Sequence, residues 1–234
     1  MSAPERLVLL PGLGATARLF EPQRAALPQI EVPPWIEPHP RETLPSYAAR
    51  VAATIRADEP LYLGGVSFGG MLASEMARLL PCRGVFLIAS CLSASAVARW
   101  ARVSGPLAAR LPSGAFRPPV SLAGLARCVL PLSRAQAAFL LSMLHDVPRG
   151  FIQWGIRAIL GWTGSDSLKV PVWHIHGARD PVIPLAAVRP TAVVPRGTHV
   201  INVTHAAEVN AFLLRHLGSG FPARPPSEHD VRRR

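Results

Sequence analysis

Lysine is all but missing from this sequence. Lys169 is the only one, so nearly all of the 25 basic residues are arginine. A formal charge of +11 raises the question of a nucleic-acid partner or an anionic membrane. The arginines are spread along the chain, apart from Arg232-Arg233-Arg234 at its end, and aromatics do not alternate with them as a base-stacking platform requires. With 25 prolines and abundant alanine, the pattern reads as compositional bias and predicts no nucleic-acid partner. Long apolar runs are also missing. A membrane span needs about 20 uninterrupted apolar residues, whereas Val85 to Ala89 and Ala137 to Leu141 are soon interrupted, so no membrane span is expected. Leu7 to Leu10 breaks at Pro11-Gly12, too early for a signal peptide. Cysteine is scarce: Cys82, Cys91 and Cys128 are odd in number and widely spaced. They fit small buried hydrophobes in a reducing cytoplasm rather than a disulfide framework.

What is present is apolar: 49% of the 234 residues are hydrophobic and only 17% are charged. That composition excludes disorder over most of the length and supports one domain carrying an insertion. Short apolar runs bounded by turn residues predict strands at Leu7 to Leu10, Ile30 to Val32, Leu61 to Leu63, Val85 to Ala89, Val172 to His176 and Ala192 to Val194. Helical spacing over Thr43 to Asp58, Phe68 to Leu80 and Ala206 to Leu217 places helices between most of them. The expectation is an α/β fold with a mostly parallel sheet of about six strands. Pro33-Pro34 removes ladder donors, so the second strand belongs at a sheet edge. The stretch from about 91 to 166 carries no strand signal and is rich in Ala, Leu and Arg, so it reads as a helical insertion. Residues 218–234 have the composition of a disordered tail.

Gly65-Val66-Ser67-Phe68-Gly69 follows an apolar strand and opens a helix. A serine in a tight turn there projects its oxygen over the sheet edge, and the flanking glycines remove side chains that would collide with neighbouring backbone. Ser67 is therefore a candidate nucleophile. A hydroxyl needs a base to take its proton, and an acid and a histidine follow later strands in the order Ser, Asp, His: Asp180 in His176-Gly177-Ala178-Arg179-Asp180-Pro181, and His199 in Arg196-Gly197-Thr198-His199. Asp146 lies within the insertion and Asp166 precedes its strand, so both are poorer acids. His205 stands on the approach to the last helix and is a poorer base than His199. His174 and His176 share a strand face and with Asp180 and His199 could be drawn as a metal site, but the usual ligand pattern is missing and no metal is expected. Gly12-Leu13-Gly14-Ala15-Thr16-Ala17 also matches a dinucleotide fingerprint, with Glu31 or Glu37 as ribose ligand. That reading leaves Ser67, Asp180 and His199 without a role, so no cofactor is expected.

With Leu10-Pro11-Gly12-Leu13-Gly14, Gly64 to Gly70, His176 to Pro184 and Gly197-Thr198-His199 in this order, residues 5 to 217 resemble the α/β-hydrolase superfamily. The resemblance is to small esterase-like members such as the pimeloyl-carrier-protein methyl esterases. It implies an α/β-hydrolase domain over residues 1–217 with a helical cap at about 91–166. It implies Ser67 as nucleophile, Asp180 as orienting acid and His199 as general base, with the backbone N–H groups of Leu13 and Phe68 as oxyanion hole. Family members commonly have His where this chain has Pro11, a position whose side chain the backbone donor at Leu13 does not need. The implied activity is hydrolysis of small-molecule carboxylic esters through an acyl-enzyme. Lactone, thioester or carbon–carbon bond hydrolysis, and ligand sensing with slow or no turnover, are the alternatives on the same scaffold. The cap is rich in apolar and aromatic residues, and Trp154 is the residue expected to bind substrate.

Overall fold

The computed structural model describes residues 5–119, 132–165 and 167–217. Five strands, β1 (Leu7–Leu10), β2 (Leu61–Val66), β3 (Cys82–Ile88), β4 (Val172–Gly177) and β5 (Ala192–Val194), pair in sequence order, every pair parallel. The second predicted strand, Ile30 to Val32, shrinks to one bridge. Glu31 exchanges backbone hydrogen bonds with Leu7 and Leu9 on the outer edge of β1, and Pro33-Pro34, lacking amide hydrogens, end the pairing there.

The strands alternate between two cores. Val8, Leu10, Leu61, Leu63, Val85 and Leu87 face one side, with α2 (Leu44–Ala52) and α3 (Phe68–Met76). Leu7, Leu9, Tyr62, Phe86, Ile88 and Ile175 face the other, with α1 (Glu21–Arg24) and, after the short α7 (Ile201–Thr204), α8 (Ala206–His216). Burial on both faces explains why these strands read as continuous apolar runs. The predicted helix over Thr43 to Asp58 starts on schedule, because Thr43 and Ser46 form a capping box. It stops at Ala52, where Thr54 turns its hydroxyl back on the Val51 carbonyl.

Between β3 and β4 the described residues contain no strand, but three helices: α4 (Arg99–Ala108), α5 (Arg134–Met143) and α6 (Phe151–Leu160). α6 is fastened to the body by aromatic packing. Phe151 meets Phe68 edge-on at 6.1 Å and Trp154 lies 4.4 Å from Tyr47, both between ring centroids. The end of the insertion is tied to α3 by the buried Glu75 carboxylate, which accepts from the Trp162 indole at 2.7 Å and the Ser165 hydroxyl at 2.5 Å.

One topological feature positions the site. From β1 the chain runs out to the edge bridge at Glu31 and returns to β2 on the other side of β1, whereas from β2 onward it proceeds in the opposite direction. The loops leaving the carboxyl ends of β1 and β2 therefore part, and open α/β sheets form their binding crevices at such a point.

Candidate active site

Ser67 stands at that crevice, directly after β2, with φ 52° and ψ −119°. An L-residue is rare there, and the surroundings hold it in place. The Ser67 amide donates to Ile88 at 3.0 Å, and the buried Ser90 hydroxyl donates to the Ser67 carbonyl at 2.7 Å. The neighbouring glycines are required by backbone contact. A methyl at Gly69 would lie 2.0 Å from the Leu10 carbonyl oxygen, and one at Gly65 would lie 2.4 Å from the Gly69 carbonyl carbon.

Asp180 and His199 arrive from the loops after β4 and β5. Oδ1 of Asp180 accepts from the amides of Val182 (2.8 Å) and Ile183 (2.9 Å), and Oδ2 lies 2.7 Å from His199 Nδ1. Burial pushes the Asp180 carboxyl up, but the hydrogen bond and charge of His199 and the two amides outweigh it and hold the group below its ordinary value. An ionised carboxylate only accepts, so His199 Nδ1 carries the proton. Its Nε2 is then free to accept from the Ser67 hydroxyl, 2.9 Å away.

Behind Asp180 lies a second pair. His176 Nε2 donates to the Ile183 carbonyl at 2.8 Å, which leaves its Nδ1 to accept from His174 Nε2 at 3.0 Å. Burial and the neighbouring His176 push His174 down to about 3, and burial lowers His176 as well. Both rings are therefore neutral near pH 7 and brace the Asp180–Ile183 turn.

A cavity of about 340 Å³ opens beside Ser67 and His199. Leu13 and Gly14 from the first loop, Leu140, Leu141 and Leu144 at the end of α5, and Ile159 of α6 supply much of its apolar wall. Phe68 is the first residue of α3, so its N–H has no acceptor within the helix. The Leu13 amide makes no hydrogen bond among the described residues. Trp154 stands apart from this cavity: its ring packs with Tyr47 and Phe68, and its indole donates to the Glu42 carbonyl at 2.9 Å.

The remaining candidates fall elsewhere. His205 bonds the Thr204 hydroxyl, and Asp146 pairs with Arg18 at 3.5 Å. Asp166 and the tail at 218–234 lie outside the described residues. Glu31 is bound by Arg6, and the loop carrying the dinucleotide-like glycines leads into two four-residue pieces, a 3-10 turn at Ala17–Phe20 and α1, rather than the long helix on which a pyrophosphate rests. Sequence reasoning misses Ser90, which no motif marks, and the leucines at 140, 141 and 144, whose helical spacing is indistinguishable from ordinary core.

The sequence profile of the Alpha/beta hydrolase family matches residues 7–212. The chain belongs to that family. Several solved structures share its fold over nearly the whole length. A thermophilic esterase from Thermogutta terrifontis has 16% identity and a TM-score of 0.69, with 95% of this chain and 92% of that one covered. A type II thioesterase from the yersiniabactin NRPS/PKS biosynthetic pathway has 18% identity and a TM-score of 0.61, covering 94% and 96%. An N-acyl homoserine lactone degrading enzyme, Est816, has 17% identity and a TM-score of 0.65, covering 92% and 94%. A comparison with curated proteins finds no match. At these identities the alpha/beta hydrolase fold is common to all of them, while the three proteins are named for three different activities.

Proposed function

We propose that this alpha/beta hydrolase is a serine hydrolase of uncharged or weakly charged carboxylic esters with small to medium apolar groups. The observation that carries the reading is the continuous row from Ser67 through His199 to Asp180, with contacts of 2.9 and 2.7 Å, at the mouth of an apolar cavity. Ser67 Oγ attacks the ester carbonyl carbon as its proton passes to His199 Nε2, and Asp180 stabilises the imidazolium. The tetrahedral oxyanion takes hydrogen bonds from the Leu13 and Phe68 amides. Collapse expels the alcohol, which receives the proton from His199 and leaves an acyl-enzyme. Water, deprotonated by His199, then releases the acid.

In this reading residues 1–217 form the hydrolase domain, and the helices within 91–166 are its cap, whose leucines select the acyl chain. The free thiols of Cys82 and Cys91 support a reducing compartment, the cytoplasm. A fluorophosphonate probe should label the wild-type chain and not Ser67→Ala, and loss of Ser67 or His199 should reduce ester turnover by ~10⁴ to 10⁶. Equal labelling of Ser67→Ala would end this reading. A panel of p-nitrophenyl esters, thioesters and lactones measured on the same preparation ranks the bonds it cleaves.

A further inference from the structure

Helix α4 is built inside out. Its inward side is made of small residues, Ala101, Gly105 and Ala109, and a methyl at Gly105 would lie 2.9 Å from Leu160 Cδ1 on α6. Its large apolar residues are left open to solvent: Trp100, Val103 and Leu107 are 59%, 72% and 68% exposed. At 3.6 residues per turn these three fall within an arc of about 60°, and Leu111, also exposed, follows beyond the helix end. Core packing does not account for such a stripe, because the helix already docks on α6 through its opposite side.

The charge beside the stripe is of one sign. Arg99, Arg102 and Arg110 are exposed, and no carboxylate pairs with them among the described residues. The sequence has no Asp or Glu between Glu75 and Asp146. A ridge of Trp, Val and Leu with arginines along one flank is the pattern of a helix lying in a lipid interface, its apolar side chains among the acyl chains and its guanidinium groups at anionic headgroups. A second copy fits poorly, since two such ridges in contact would bring like-charged arginines together. The ridge also adjoins the candidate active site. The Trp100 indole donates to the Pro181 carbonyl at 2.9 Å, and the Ala98 amide donates to the Val182 carbonyl at 2.8 Å. Both acceptors belong to the Asp180 turn, and Val182 lines the cavity.

We propose that α4 docks this protein on the surface of a membrane containing anionic lipid through Trp100, Val103 and Leu107, with Arg99, Arg102 and Arg110 at the headgroups. The proposal stands independently of the bond that is cleaved. The test is co-sedimentation of the full chain with vesicles of phosphatidylcholine alone and of equal parts phosphatidylcholine and phosphatidylglycerol. The wild type should sediment with the mixed vesicles and scarcely with the neutral ones. Val103→Glu/Leu107→Glu should weaken that binding by at least ~10-fold, since it removes two buried aliphatic side chains from the interface. Arg99→Gln/Arg102→Gln/Arg110→Gln should weaken it several-fold, with thermal melting unchanged. Val103→Ser/Leu107→Ser replaces the glutamate pair if that pair disturbs folding. Failure of the wild type to bind mixed vesicles would overturn the proposal. So would unchanged binding by the folded stripe variant, which would assign the attraction to charge elsewhere on the chain. A wild-type dimer converted to monomer by the same variant would assign the stripe to a second copy, again overturning it.

Discussion

Leu13 and Gly155 meet where the first loop passes under α6: a methyl built on Gly155 would lie 2.3 Å from Leu13 Cδ1. The cap helix and the proposed oxyanion loop therefore touch through a position with no side chain. The contact is with the far end of a flexible leucine, so Gly155→Ala can be absorbed and should change kcat/KM by no more than a few-fold. Gly155→Val drives Leu13 toward the cavity. It should lower kcat/KM on a short ester at least ~10-fold, with an overpacking cost of ~1 to 3 kcal/mol in denaturant titration. Equal activity of the two variants would separate Leu13 from catalysis.

Ser90 holds the backbone of the strained elbow, not its reactive oxygen. Ser90→Ala removes the 2.7 Å hydrogen bond to the Ser67 carbonyl, while Gly70 and Met71 still donate to that carbonyl. Stability should fall by about 1 kcal/mol and kcat by less than ~10-fold, set by how far the elbow relaxes. Urea midpoints measured beside initial rates check both, and a loss as large as that of Ser67→Ala would place Ser90 in the chemistry.

Acid should destabilise the fold before it protonates ordinary carboxylates. An unfolded imidazole binds its proton near pH 6.5, whereas His174 in the fold does so only at about 3 and His176 is lowered as well. Between those values the unfolded chain binds more protons, so stability is full above pH 6.5 and declines as the pH falls, approaching ~1.4 kcal/mol per pH unit for His174, with His176 adding a loss in the same direction. Asp180, held below its ordinary value, adds a loss of the same sign at lower pH. Denaturant midpoints from pH 7.5 down to 4.5 should show this slope for the wild type and a shallower one for His174→Gln. A flat profile in the wild type would contradict the buried pair.

Leu144 stands against Gly14, whose added methyl would lie 2.6 Å from Leu144 Cδ2, and both line the cavity. Leu144→Ala should lengthen the space for the acyl chain. Specificity constants for acetate through decanoate esters should peak at short to medium chains in the wild type, as suits about 340 Å³, and shift to longer chains in the variant. Each methylene is worth ~1 to 3 kcal/mol in such a pocket, so a shift is readable, and an unchanged peak would remove α5 from the acyl site.

Much of this arrangement is legible in the amino-acid order because its determinants are local. Short apolar runs bounded by turn residues mark β1 through β5, the Gly-x-Ser-x-Gly turn marks the elbow, and Thr43 with Ser46 starts α2 where the residues say it should. Pro33-Pro34 announces an edge, although only pairing in three dimensions shows that the edge narrows to a bridge at Glu31. Trp154 shows where locality fails. An aromatic in an apolar insertion can stand beside the nucleophile or pack elsewhere, and its place is set by Tyr47, Phe68 and Glu42, which are distant in sequence.

The sequence by itself determined that this chain folds as an α/β sheet and carries a Ser, an Asp and a His in hydrolase order, because strand burial and turn stereochemistry are properties of neighbouring residues. Tertiary structure decided the rest. The 2.7 and 2.9 Å contacts that make Asp180, His199 and Ser67 one row, the histidine pair that braces the acid turn, and the outward stripe of α4 all depend on how separate elements pack. A hydrogen bond's length and a helix's exposed side are set by the partner across the gap, and no spacing along the chain encodes that distance.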